Sequence, residues 1–98
     1  MENNTNISAM CAEIIKRNGL SRQKRKLAEE GFELIEAITE MQVAPSAKNL
    51  THIVEEMADV FVVWRQIAEY YGIQWSEIAR VADYKCKRTL MRLDNGAE

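Results

Sequence analysis

The sequence predicts an all-α fold, and three observations carry that expectation. Apolar residues recur at the 3.6-residue helical period through three long stretches, and no segment alternates apolar and polar over a useful length. The punctuating residues Gly19, Pro45 and Gly72 fall between those stretches. The expected architecture is a helical bundle of three long helices plus one short N-terminal helix, completed by oligomerisation.

Residues 1–6 are polar and Asn-rich, and are expected to fray. A short first helix is predicted from about Ser8 to Arg17, with Ile7, Met10, Cys11, Ile14 and Ile15 on its apolar side. Asn18-Gly19 stops it, because Gly accepts the left-handed conformation that closes a helix. Ser21 is expected to cap a long second helix reaching about Gln42. Its stripe is Leu27, Ala28, Gly31, Leu34, Ile35, Ile38 and Met41. Gly31 costs about 1 kcal/mol relative to Ala inside a helix, which argues for close approach of another helix.

Val43–Asn49, which holds Pro45, is the clear loop. A third helix is expected to start near Asn49–Thr51, either residue capping it, and to end at Gly72. It carries Ile53, Val54, Met57, Val60, Phe61, Trp64, Ile67, Ala68 and Tyr71, with core packing expected for Met57, Trp64 and Tyr71. Gln74–Ser76 opens a fourth helix with the stripe Ala79, Ala82, Cys86, Leu90 and Leu93, before a polar tail at 94–98 expected to fray. Residues 1–98 are read as a single domain.

Composition narrows the function classes. Of 98 residues, 47% are apolar and 29% charged, with a net charge of −2. That balance gives no global attraction to a nucleic-acid polymer or an anionic membrane. A domain this small buries a modest fraction of its surface, so wide apolar stripes call for a dimer or a dimer of dimers. Cys11 and Cys86 lack metal-motif or redox-motif spacing and read as free buried thiols of a reducing cytosol. The longest apolar run, Val60–Trp64, is too short to span a bilayer. The polar start lacks a secretory signal's order. The chain is expected to be soluble and cytoplasmic.

The most informative feature is a near-repeat. Leu27-Ala28-Glu29-Glu30-Gly31-Phe32-Glu33 and Ile53-Val54-Glu55-Glu56-Met57-Ala58-Asp59 each read apolar-apolar-Glu-Glu-x-x-acid. Residues three apart share a helix face, so Glu30/Glu33 and Glu56/Asp59 form two carboxylate pairs on the same flank of their stripes. One copy alone is what a solvated Glu-rich face looks like. A solvated face does not need the same offset on a second helix. Converging carboxylates repel, and a hard dication offsets that repulsion, with Mg²⁺ or Mn²⁺ favoured over zinc or iron because every ligand is oxygen. His52, one turn before Glu56, is a weaker candidate for the same site, since a lone His near a helix start is more often a surface or capping residue. The basic run Arg22–Lys26 lacks interleaved aromatics and reads as a solvated helix start, except that Lys26 shares the flank of Glu30 and Glu33. Trp75 and Tyr84 lie off the stripes, as a subunit interface or a base-stacking surface requires.

The string Gln23-x-x-Lys26-Leu27-Ala28-Glu29-Glu30-Gly31-x-Glu33-Leu34-x-Glu36-Ala37-Ile38 resembles the first motif of the MazG-like family of all-α NTP pyrophosphohydrolases. Ile53-Val54-Glu55-Glu56-Met57-Ala58-Asp59-Val60 resembles its second, and Tyr84-Lys85-x-x-Arg88-x-x-x-Arg92-Leu93 resembles its basic last helix. The resemblance implies a short single-module enzyme that hydrolyses a nucleoside triphosphate to monophosphate and pyrophosphate with Mg²⁺, in a house-cleaning role. It implies Glu30, Glu33, Glu56 and Asp59 as metal ligands, and Glu29 as the group that orients or deprotonates water. Lys26, Lys85 and Arg88 are expected on the substrate phosphates, with Glu36 and Arg92 in support one layer out. The C-terminal cations also suit a helix dipole. Residues 1–19 hold no aromatic side chain for a base pocket, so base and sugar preference stay open. The alternatives are a non-catalytic helical adaptor or regulatory partner, and a nucleotide sensor.

Overall fold

The structure is a computed structural model that describes the backbone of residues 2–96 and the side chains of residues 6–96. Four helices follow one another: α1 (Glu2–Asn18), α2 (Leu20–Val43), α3 (Ala47–Tyr70) and α4 (Trp75–Asp94), with no strand among the described residues. The all-α expectation holds.

The boundaries differ in instructive ways. α1 begins at Glu2, so residues 2–6 are helical and the first helix, at 17 residues, is not short. Extending an already nucleated helix through Asn and Thr costs only a few tenths of a kcal/mol per residue. Asp94 closes α4 and a turn follows at Asn95-Gly96; of the ends expected to fray, residues 1 and 97–98 lie outside those described. Ser21 is not a cap but lies inside α2, because Gly19 alone, at φ +87°, joins α1 to α2. Its amide donates to the Ile15 carbonyl (2.8 Å) and its own carbonyl accepts from Gln23 (3.2 Å).

α3 starts earlier than expected, capped by Ser46, whose Oγ accepts from the Asn49 amide at 3.0 Å. Asn49 instead donates from Nδ2 to the Ala44 carbonyl at 2.8 Å. The end of α3 follows the sequence reading. Gly72 (φ +68°) donates to the Glu69 carbonyl and Ile73 to the Ala68 carbonyl, the paired bonds of a Schellman motif. At the start of α4 the Gln74 amide donates to Glu77 Oε1 at 3.0 Å.

α2 and α3, 24 residues each, pack along one another, with α1 laid mainly against α3. The core is small: Cys11, Ile15, Ala37, Val63 and Ala68, with Gln23 and Gln66 buried among them. Cys11 donates from Sγ to the Val62 carbonyl, and burial pushes its thiol pKa up. Ser8 Oγ ties α1 to Glu69 of α3 at 2.5 Å.

Among the described residues, α4 does not pack along any other helix and none of its residues is buried; Trp75 makes an edge contact with Trp64. Cys86 is therefore exposed rather than buried. Met57 and Tyr71, expected in the core, are also exposed, as are Phe32, Ile35, Leu50, Val54 and Phe61. Among the described residues nothing lies within 4 Å of a Cβ built on Gly31, so the expected close helix approach is not made there. No helix among the described residues is long and apolar enough to cross a membrane.

Candidate metal centre

The α2–α3 packing brings acids from both copies of the repeat together. Glu30, Glu33 and Glu56 each place a carboxylate oxygen within 4.8 Å of the others. Glu30 faces inward and is only 8% exposed, while Glu33 is exposed and Glu56 lies between. Desolvation pushes the Glu30 pKa up, and the neighbouring Glu33 carboxylate adds to the rise. Lys26, with Nζ 3.4 Å from Glu30 Oε2, pulls the other way, and Asp59 raises it further.

Glu56 carries the most telling atom. Its side chain is 12% exposed, and its Oε1 is buried with no hydrogen-bond partner. Its Oε2 lies 3.5 Å from His52 Nε2, and His52 Nδ1 lies 3.3 Å from Glu40 Oε1. Buried polar atoms are almost always partnered. An orphaned carboxylate oxygen beside two further carboxylates, one held above its ordinary pKa, fits a hard cation taking oxygen ligands.

The other expected residues are placed less uniformly. Asp59 is exposed and stands outside the 4.8 Å trio, though its charge reaches Glu30. Glu29 and Glu36 are exposed and outside the trio. Glu29 instead borders a cleft of about 340 Å³ with Asn18, Arg22, Gln23, Arg25 and Lys26. That cleft adjoins Glu30 through Lys26.

Lys85, Arg88 and Arg92 ride on α4, which does not pack on α2 or α3. Within one chain, the expected cationic rim is therefore not assembled around the acids. Arg88 lies over the Tyr84 ring at 5.6 Å, with Nε buried and without a hydrogen bond. Lys85 edges an apolar groove formed with Ile73, Ile78 and Val81.

Two features escaped the sequence reading. The Glu40–His52 contact crosses the α2–α3 loop, and only the spacing of His52 from Glu56 hinted at it. The second is a buried amide relay: Gln23 Nε2 donates to Gln66 Oε1 at 2.6 Å, and Asn18 Nδ2 donates to Gln23 Oε1 at 3.2 Å. Gln23 stands two turns before Glu30 on the same buried face of α2, and Gln66 is buried on α3 two turns beyond the exposed Asp59. The relay therefore fixes how α2 sits on α3 next to the acids.

Comparison with protein-family models matches residues 19–89 to the MazG nucleotide pyrophosphohydrolase domain. That span covers α2, α3 and most of α4. Searches of curated proteins and of solved structures gave no match.

Proposed function

Given that the chain belongs to the MazG nucleotide pyrophosphohydrolase family, we propose that it hydrolyses a nucleoside or deoxynucleoside triphosphate to the monophosphate and pyrophosphate with Mg²⁺, Mn²⁺ substituting. The observation that carries this reading is the orphaned Glu56 Oε1 beside Glu30 and Glu33. Glu30, Glu33, Glu56 and Asp59 would hold the ion. When bound, it supplies neutralisation of the polyphosphate charge and Lewis-acid polarisation of its oxygens.

Glu29 accepts the proton of the attacking water. The water oxygen forms a bond to the α-phosphorus, the bond from that phosphorus to the bridging oxygen breaks, and pyrophosphate departs with the electron pair. Such substitution needs positioning and charge stabilisation more than covalent help. Lys26, already at the rim of the trio, contacts the phosphates. Lys85 and Arg88 reach them from the α4 of a second copy, which makes the working form a homo-oligomer, a dimer or a dimer of dimers. Glu36 and Arg92 support this rim, and the role is house-cleaning of unwanted nucleotides.

Glu33→Gln and Asp59→Asn are expected to abolish pyrophosphate release while circular dichroism stays helical. Near-normal turnover in either variant would reject the assigned ligands. The unpacked, amphipathic α4 favours a second reading, a non-catalytic helical adaptor with solvated acids. A nucleotide sensor would keep the pocket without the turnover. A Mg²⁺-dependent rise in melting temperature is expected of the enzyme and the sensor but not of the adaptor, and the turnover rate separates the first two.

A further inference from the structure

The structure assigns His52 a second task beyond closing the α2–α3 loop: it is a positioning residue that holds the Glu56 carboxylate for the ion, an inference that rests on the metal reading above. A Glu side chain has rotatable bonds enough to swing a carboxylate out to water. Glu56 does not swing out; it stays 12% exposed with its Oε1 unpartnered. Its other oxygen meets His52 Nε2 at 3.5 Å, one helical turn away. The imidazole is in turn bracketed by Glu40 from the last turn of α2, at 3.3 Å from Nδ1.

A ring with a carboxylate oxygen close to each nitrogen is bracketed between two anionic side chains, one on each helix. The order Glu40–His52–Glu56 is that of an outer layer that orients a ligating carboxylate, where loss of the outer partner costs about 10–100-fold in metal affinity. A surface ion pair alone would be worth little here, because the His52 side chain is 43% exposed and Glu40 59%. The value of His52 lies in which oxygen of Glu56 stays unclaimed.

The test uses the metal-free full-length chain, titrated with Mn²⁺ and followed by the electron paramagnetic resonance of the free ion, with melting curves recorded alongside. His52→Gln places an amide where Nε2 stands, and His52→Asn places one where Nδ1 stands. The Asn variant keeps the Glu40 contact and loses the one to Glu56. It is expected to weaken Mn²⁺ binding about tenfold, the low end for an outer partner, while the Gln variant stays close to wild type and neither changes the metal-free melting temperature.

Glu40→Gln, at a more exposed position, is expected to weaken binding less than His52→Asn. Equal affinities for the Asn and Gln variants would overturn the positioning role. So would a loss of affinity that tracks a drop in metal-free melting temperature. Failure of the wild-type chain to bind Mn²⁺ would overturn the metal reading, and this inference with it.

Discussion

Glu56→Gln is expected to act in opposite directions on the metal-free and the metal-loaded protein. Two unit charges 4.8 Å apart repel by about 3.5 kcal/mol at an effective dielectric near 20. Glu33 is exposed and Lys26 stands 3.4 Å from Glu30, so solvent and the ammonium screen much of that repulsion. A relief of about 1 kcal/mol is a fair expectation for removing the Glu56 charge, and the new amide can donate to its acidic neighbours. For a domain of this size that corresponds to a rise of about 4–8 °C in melting temperature.

Saturating Mg²⁺ at a hundred times its dissociation constant would stabilise the wild type by about 2.7 kcal/mol and leave the variant unchanged. Melting curves at one protein concentration, with and without Mg²⁺, read both effects. A Glu56→Gln variant that melts lower than wild type without metal, yet keeps its Mg²⁺ increment, would refute the reasoning.

The remaining expectations concern assembly, the core and pH. If α4 serves the acids of another copy, mixing inactive Glu33→Gln with weakened Arg88→Ala should raise pyrophosphate release above the sum of the two variants measured separately; strictly additive rates would place both residues in one chain's site. Gln66→Leu strands the buried Gln23 amide and should cost about 1–3 kcal/mol in urea unfolding, with Gln23→Leu added on top recovering part of the loss. Glu30 has a folded pKa above its unfolded value, so it binds more protons folded than unfolded. Its contribution is most favourable below the unfolded carboxylate range near pH 4.3. It is lost as pH rises through the raised folded value. Glu30→Gln should flatten that part of the metal-free pH–stability curve.

The helices were legible in the sequence because their stripes and stops are local signals: Gly19 and Gly72 do what a positive φ requires. The convergence of Glu30, Glu33 and Glu56 was legible because a shared offset from the stripe survives packing, whereas Asp59, read as the fourth member, stands outside the trio. The rest depended on partners far along the chain. Gln23 and Gln66 are ordinary polar letters until α1, α2 and α3 bury them together, and Glu40 meets His52 only once the loop at 44–46 has turned. Periodicity marks α4 as amphipathic but does not say what its apolar side leans on. For that reason Cys86 was expected inside and stands outside, and the stripe of α3 is likewise too wide for its neighbours to cover, which leaves Met57 and Tyr71 exposed. The same holds for Gly31, where the close helix approach expected from the sequence is not made among the described residues.

A 20-residue rod with no buried side chain has almost nothing but its own ladder to keep it wound, and a solitary rod of that length is marginal in water. Its amides should swap with deuterium long before those of the Gln23–Gln66 region. Proteases should nick residues 75–94 first, until something shelters them. The stretch carrying Lys85 and Arg88 would then be the least durable part of the molecule and the first to report whatever comes to lie against it.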